Sequence, residues 1–221
     1  VPVLDEAARI GARLDELAAR GVDETIVVDG GSHDHTVAIA RARPGVRVLE
    51  APRGRGPQMN AGARAASADA LLFLHADAEL PADARVWIER TLADPTVACG
   101  AFRVRTVADA GRNWLGPILR LADLRSHVTR VPYGDQALFV RRALFEAVGG
   151  FPDAPLMEDV ELVHRLRRHG RVVVVPATVR VSGRRFLAHP LRATLAMWIF
   201  PTLYRLGVPA RVLARLYGDP R

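Results

Sequence analysis

The chain has 221 residues, 49% of them hydrophobic and 25% charged, a globular balance that excludes wholesale disorder and suits one domain with a short appendage. Its formal charge is +7, carried by arginine with no lysine at all, and the arginines are scattered without runs or interleaved aromatics, which argues against nucleic-acid binding. One cysteine, Cys99, excludes an intramolecular disulfide and is compatible with a reducing cytoplasm, and no apolar run is long enough to cross a bilayer.

Residues 1–4 read as a strand entered part-way, with a few residues expected upstream. Helical periodicity follows over 5–20, through Ala8, Ile10, Leu14 and Leu17. The run TIVVDGGS is a strand ending in a glycine turn, and 34–42 is helical. A third strand lies in GVRVLEAP, a helix in 56–67, a fourth strand in ALLFLHAD and a helix in 82–93. Short apolar runs separated by helices imply parallel strands buried on both faces, in a doubly wound α/β sheet. The pattern then changes: a long alternating strand near 98–107, a helix over 112–128, and loop, strand, short helix and glycine turn over 133–151. An amphipathic helix is predicted over 158–169, and one or two strands around Pro176. The tail, 187–216, reads as two helical pieces broken near Gly207-Val208-Pro209, with Pro201 as a further interruption.

Open α/β sheets bind ligands at the carboxyl ends of their strands. Asp29 ends the second strand, where a carboxylate can accept from a base or a ribose; a plain turn capped by Ser32 or Asp34 explains it equally well. His33 and His35 invite a metal reading, though turn histidines are more often solvated. Arg53, Arg55 and a glycine-rich helix start suit a phosphate. The segment is neither a G-K-[ST] loop nor G-x-G-x-x-G, since position 59 is Met. Asp77, with His75 or Glu79, can hold a divalent ion bridging a diphosphate. Glu158 and Asp159 open a helix, where the dipole alone favours acids, and where one of them can act as a general base.

These pieces, in this order, resemble the family 2 glycosyltransferases of the GT-A fold over roughly residues 1–186. The family's P-x-x-N-E is matched by Pro2 to Glu6, with Asp5 for Asn, and its V-D-D-G-S-x-D-x-T by Val28 to Thr36, with Gly30 in the second Asp position. Its basic G-K-x-x-A-x-N-x-G element is similar to the stretch from Gly54 to Gly62, its D-x-D becomes His75-Ala76-Asp77, and its late E-D pair is Glu158-Asp159. The stretches GRGPQMNAGA, LFLHADA, PYGDQALFVRR and PLMEDVELVHRLRRHG look closer still to a bacterial subgroup labelled arsenosugar-biosynthesis-type.

The resemblance implies a GT-A, Rossmann-like domain over 1–186 and a helical appendage over 187–221 that packs on the domain or on a partner. It implies an inverting transfer of a sugar from a nucleotide-diphosphate donor, a UDP-sugar first, to a small or lipid-like hydroxyl acceptor, assisted by Mg or Mn. Pro2, Glu6, Asp29, Gly31, Arg55, Asn60 and His75 would bind the nucleotide, Asp77 the metal, and Asp159 with Glu158 would be catalytic. Asp135, Gln136, Arg184 and Arg185 are expected at the acceptor or the diphosphate; Gly183 to Phe186 replaces the Q-x-x-R-W element of some members without its Gln or Trp. A cytoplasmic enzyme follows, with a homodimer or a peripheral contact at the inner membrane face left open for the tail. The rival readings are a non-catalytic nucleotide-sugar binder and a sugar nucleotidyltransferase; the latter needs an early lysine, which this chain lacks.

Overall fold

The computed structural model describes residues 1–107, 123, 132–184 and 190–218, with 190–197 described for the backbone alone. Strands β1 (Pro2–Val3), β2 (Thr25–Asp29) and β3 (Val46–Glu50) form a parallel sheet in that order, with Pro2 opposite Val28 and Thr25 opposite Val46. Helix α1 (Ala7–Ala19) carries Ile10, Leu14 and Leu17 on one face, at helical spacing. Ile10 and Leu14 pack with Val3, Val27 and Ala40 of α2 (Thr36–Arg41). Val28, one residue on, points the other way, towards α3 (Arg55–Ala65), where a side chain at Gly62 would meet it at 3.2 Å. The period of two in β2 therefore divides the helices between two layers.

The second sheet contains β4 (Ala70–Leu72), β5 (Ala78–Glu79), β6 (Val97–Val107), β7 (Phe139–Arg141) and β8 (Arg171–Ser182), in the order β4-β7-β6-β8-β5. Only β6 and β8 are parallel; β4 with β7, β6 with β7 and β5 with β8 are antiparallel. The apolar run from residue 70 was expected as one long strand in the parallel series. It ends at Leu72 and its partner runs the other way, because burial on both faces gives the same apolar pattern in either direction. Pro176 sits in β8 where Phe102 pairs with Val175 and Arg103 with Thr178, a bulge that keeps the proline out of the ladder. At Gly100 an added Cβ would lie 2.2 Å from the Phe139 ring, so that position admits only glycine.

Helix α4 (Ala84–Leu92) covers one face of this sheet, while α5 (Arg142–Ala147) and α6 (Glu158–Leu166) cover the other. Phe73, Phe145 and Phe151 form an aromatic cluster between α3, α5 and the sheet, with ring centroids 5.1, 4.8 and 5.5 Å apart. Between the edges of β2 and β4 lies a mostly apolar slot of about 220 Å³, walled by Met59 and Ala63 on one side and by Leu17, Ala84 and Ile88 on the other.

The tail forms α7 (Pro190–Arg205) and α8 (Ala210–Tyr217). Pro201 lies inside α7 without ending it, and the break falls at 206–209. The Tyr204 hydroxyl donates to Glu161 Oε2 of α6 at 3.5 Å, and Leu213 is fully buried. The helix expected over 112–128 lies outside the described residues apart from Asp123. No helix among the described residues is long and apolar enough to cross a membrane.

Candidate active site

The site grows from the carboxyl ends of β1 and β2. Asp29 closes β2 and is buried; its Oδ2 accepts the N–H groups of Gly31 and Ser32, each at 2.9 Å, and its Oδ1 accepts the Ser32 hydroxyl. Gly31 has φ of +96°, which this turn requires. The turn is stitched to the segment after β1. Asp5 N–H donates to Ser32 Oγ at 3.0 Å, His33 N–H to Asp5 Oδ1 at 2.8 Å, Ala7 N–H to Asp34 Oδ2 at 3.0 Å, and Glu6 N–H to Thr36 Oγ1 at 2.8 Å. Two loops thus fix Glu6 at the edge of the cleft.

Gln58, which sequence reading passed over, straps the two strand ends together. Its buried amide donates to Val3 O at 2.8 Å and to Val28 O at 2.7 Å. It also packs on Gly30, where a Cβ would lie 3.0 Å from that amide. A glutamine in a helix carries no local signal of such a role.

A small polar cleft of about 30 Å³ opens beside this strap, lined by Pro2, Val3, Leu4, Glu6, Arg55, Gln58, His75, Ala76 and Asp77. His75 and Asp77 lie on the turn between β4 and β5, held where Ala78 N–H donates to His75 O at 3.0 Å and Ser182 N–H to Asp77 O at 3.1 Å. Glu6, 7% exposed, makes an ion pair with Arg184, which brings the end of β8 to the cleft. Arg13, also missed in the sequence, has its pKa lowered by burial, with the charges of Glu79 and Asp77 opposing that shift.

Arg55 reaches the other way as well, its Nη1 3.7 Å from Glu158 Oε1. Glu158 is buried at the start of α6. Burial first, and then the charge of Asp159, push its pKa up to about 7, while Arg55 opposes the rise. Asp159 accepts from Gly134 N–H at 2.5 Å through Oδ2 and from Val160 N–H at 2.7 Å through Oδ1. Gly134 opens the 3-10 turn Gly134–Gln136, and a Cβ there would lie 3.2 Å from His75 Nε2 and 3.3 Å from Asp159 Oδ2.

Three non-glycine residues among those described have positive φ: Asp5 at 52°, Ala137 at 49° and Met157 at 65°. Each adjoins a predicted site residue, namely Glu6, Gln136 and Glu158. Backbone strain of this kind clusters where side chains must be aimed.

The fold therefore gathers Pro2, Glu6, Arg55, His75 and Asp77 in one cleft, with Glu158 and Asp159 at its rim and Arg184 joined through Glu6. Asp29 and Gly31 form the adjoining turn. Asn60, expected at the nucleotide, instead holds the loop before α6. Its Nδ2 donates to Phe151 O at 2.8 Å and its Oδ1 accepts Phe151 N–H at 2.9 Å. Gln136, expected at the acceptor, is 1% exposed and bridges Phe102 O at 2.9 Å and Tyr133 N–H at 3.0 Å. Both amides are taken up by backbone partners, a use the sequence pattern does not distinguish from ligand binding. Asp135 lies half-buried in the turn between Gly134 and Gln136. Arg185 is outside the described residues. No group of three or more His, Cys, Asp or Glu suited to a metal gathers among the described residues, around His33 and His35 or elsewhere. Cys99 is buried, which pushes its thiol up to about 12 and leaves it unreactive.

The family model described as glycosyl transferase family 2 matches residues 1–148. No match was found among the curated proteins. Among solved structures, the chain is similar to a mannosyltransferase from Pyrobaculum calidifontis in complex with GDP-Man and Mn2+. The two share 23% identity and a TM-score of 0.68, over 98% of this chain and 66% of that one. It is similar to TarS residues 1–349 from S. aureus at 18% identity and a TM-score of 0.62, over 89% of this chain and 63% of that one. It is also similar to glucosyl-3-phosphoglycerate synthase from Mycobacterium tuberculosis, in complex with Mn2+, UDP-glucose and phosphoglyceric acid. There the identity is 23% and the TM-score 0.58, over 94% of this chain and 78% of that one. The chain thus spans slightly less than two thirds of the length of the first two.

Proposed function

The chain belongs to glycosyl transferase family 2, and on that premise we propose that it moves a sugar from a nucleotide-diphosphate donor to a hydroxyl acceptor with inversion at the anomeric carbon. The observation that carries this reading is the convergence of Arg55, Glu6 and Asp77 in one cleft whose rim holds Asp159. The complexes of similar structures with GDP-Man or UDP-glucose and Mn2+ support a nucleotide-sugar donor and a divalent cation.

The residues fit such an ion. They offer no all-protein cage among the described residues, but one cleft carboxylate, Asp77, suits a hard cation that takes its other ligands from donor phosphates. Mg or Mn held there would supply positive charge to the leaving diphosphate. The chain's own groups do the rest. Glu6, Asp29, Pro2 and Gly31 border the nucleoside, Arg55 faces the phosphates, and Arg184 adds a second cation through its pair with Glu6. Asp159, oriented by two backbone N–H donors, takes the acceptor proton as the oxygen attacks the face opposite the leaving group. Glu158 holds Arg55. Residues 1–186 carry the reaction. The helices of 187–221 dock on it, with a hexose donor, a cytoplasmic setting and a small or lipid-like acceptor completing the reading. Acceptors of the arsenosugar type belong in the first screen, on the strength of the shared sequence stretches.

Asp159→Asn tests the base. Transfer is expected to fall by at least about a hundredfold, with nucleotide and Mn2+ binding unchanged by calorimetry. Near-native turnover would remove Asp159 from that role.

A further inference from the structure

His75 occupies the first position of the motif whose third residue is Asp77, yet its ring is not aimed only at the donor side. A point one Cβ bond out from Gly134 lies 3.2 Å from His75 Nε2 and 3.3 Å from Asp159 Oδ2, so both side chains close on the same side of that glycine. The same Oδ2 accepts the Gly134 N–H at 2.5 Å. The lack of a side chain at residue 134 leaves room there beside both the imidazole Nε2 and the carboxylate Oδ2. We propose that His75 is a positioning residue for Asp159, holding that carboxylate towards the acceptor, and is not a ligand of the cation. The proposal rests on the glycosyltransferase reading above.

Charge supports the assignment. Glu6, Asp77, Glu158 and Asp159 already crowd this region against Arg55 and Arg184. A fifth carboxylate at position 75 would face Asp159 and repel it, whereas an imidazole can donate to it. The substitution that restores the two-carboxylate motif is therefore expected to damage the site.

The test uses the full chain and four variants: His75→Ala, His75→Gln, His75→Asp and Gly134→Ala. Binding of UDP and GDP with Mn2+ is measured by calorimetry, and turnover with whichever UDP- or GDP-sugar the wild type uses, water serving as acceptor if no other is known. His75→Ala should lower kcat by about 10- to 100-fold, the range of a lost positioning contact, while Mn2+-nucleotide binding stays within about twofold. His75→Gln, whose amide reaches the place of Nε2, should recover part of the lost kcat. His75→Asp should lose turnover without binding Mn2+ more tightly. Gly134→Ala, which wedges a methyl against both groups, should lower kcat with donor binding kept. The proposal is overturned if His75→Ala weakens Mn2+-nucleotide binding tenfold or leaves kcat unchanged, or if His75→Asp tightens metal binding and keeps turnover. Failure of the wild type to bind either nucleotide would instead overturn the donor reading, and this proposal with it.

Discussion

The slot between β2 and β4 and the cleft at the ends of β1 and β2 share Pro2 and Gln58 in their linings. The slot is the larger by far, about 220 against about 30 Å³, and Leu17, Met59, Ala63 and Ile88 are among its walls. Its charged residues, Arg20, Asp23, Glu24, Arg85 and Glu89, belong to helices and loops, and Arg85 pairs with Asp23 at 2.9 Å and Glu89 at 2.7 Å. The cleft is small but holds Glu6, Arg55, His75 and Asp77, and two of the three strained residues adjoin Glu6 and Glu158. Volume and chemistry are separated in this molecule. Apolar volume reflects how sheets and helices pack, while a site needs convergent polar groups held under constraint.

Four substitutions set the two regions against each other. Asp77→Ala, in the cleft, is expected to lower transfer by about 10²–10³ and to remove the Mn2+ dependence of nucleotide binding, with the melting temperature little changed. Leu71→Ala, in the slot, should do the reverse. It deletes a buried side chain and should cost about 2–5 kcal/mol of stability by denaturant unfolding, with nucleotide affinity preserved. If Leu71→Ala abolished binding and Asp77→Ala did not, the division would be broken. Asn60→Ala probes the support of the cleft: losing both bonds to Phe151 should cost about 1–3 kcal/mol and weaken donor binding only secondarily. Glu158→Gln gives the smallest effect, and one set by pH. The Glu158 pKa is raised from 4.5 to about 7 in the folded chain, so its stabilisation is present below pH 4.5 and is lost as pH rises through 7. Glutamine cannot titrate. The melting-temperature gap in favour of Glu158→Gln should therefore open between pH 4.5 and 7 and stay open above, and a gap independent of pH would contradict the burial account.

Sequence showed the cleft's chemistry better than its construction. That Arg55 and Asp77 would share one cleft, with Asp159 close by, was legible because strand ends and helix starts are recognisable from local pattern, and because five motifs fell in the order of a known family. The direction of β4 was not legible, since an apolar run is the same for parallel and antiparallel partners. Asn60 and Gln136 looked like ligand-binding amides, yet each is bound to backbone groups far along the chain. Asn60 reaches Phe151, 91 residues away, and Gln136 reaches Phe102, 34 away. The pair Arg184–Glu6 spans 178 residues, and His75 and Asp159 reach the same side of Gly134 from separate parts of the chain. Those contacts are products of the tertiary fold, and no local spacing encodes them.

Hydrogen exchange of the full chain, with and without Mn2+ and a nucleotide sugar, tests most directly the claim that the small cleft is the donor site. Slower exchange is predicted at residues 4–6, 30–32 and 75–78, with no change at 62–66 and 70–73 along the slot. Protection confined to the slot, with the cleft unaffected, would contradict the assignment.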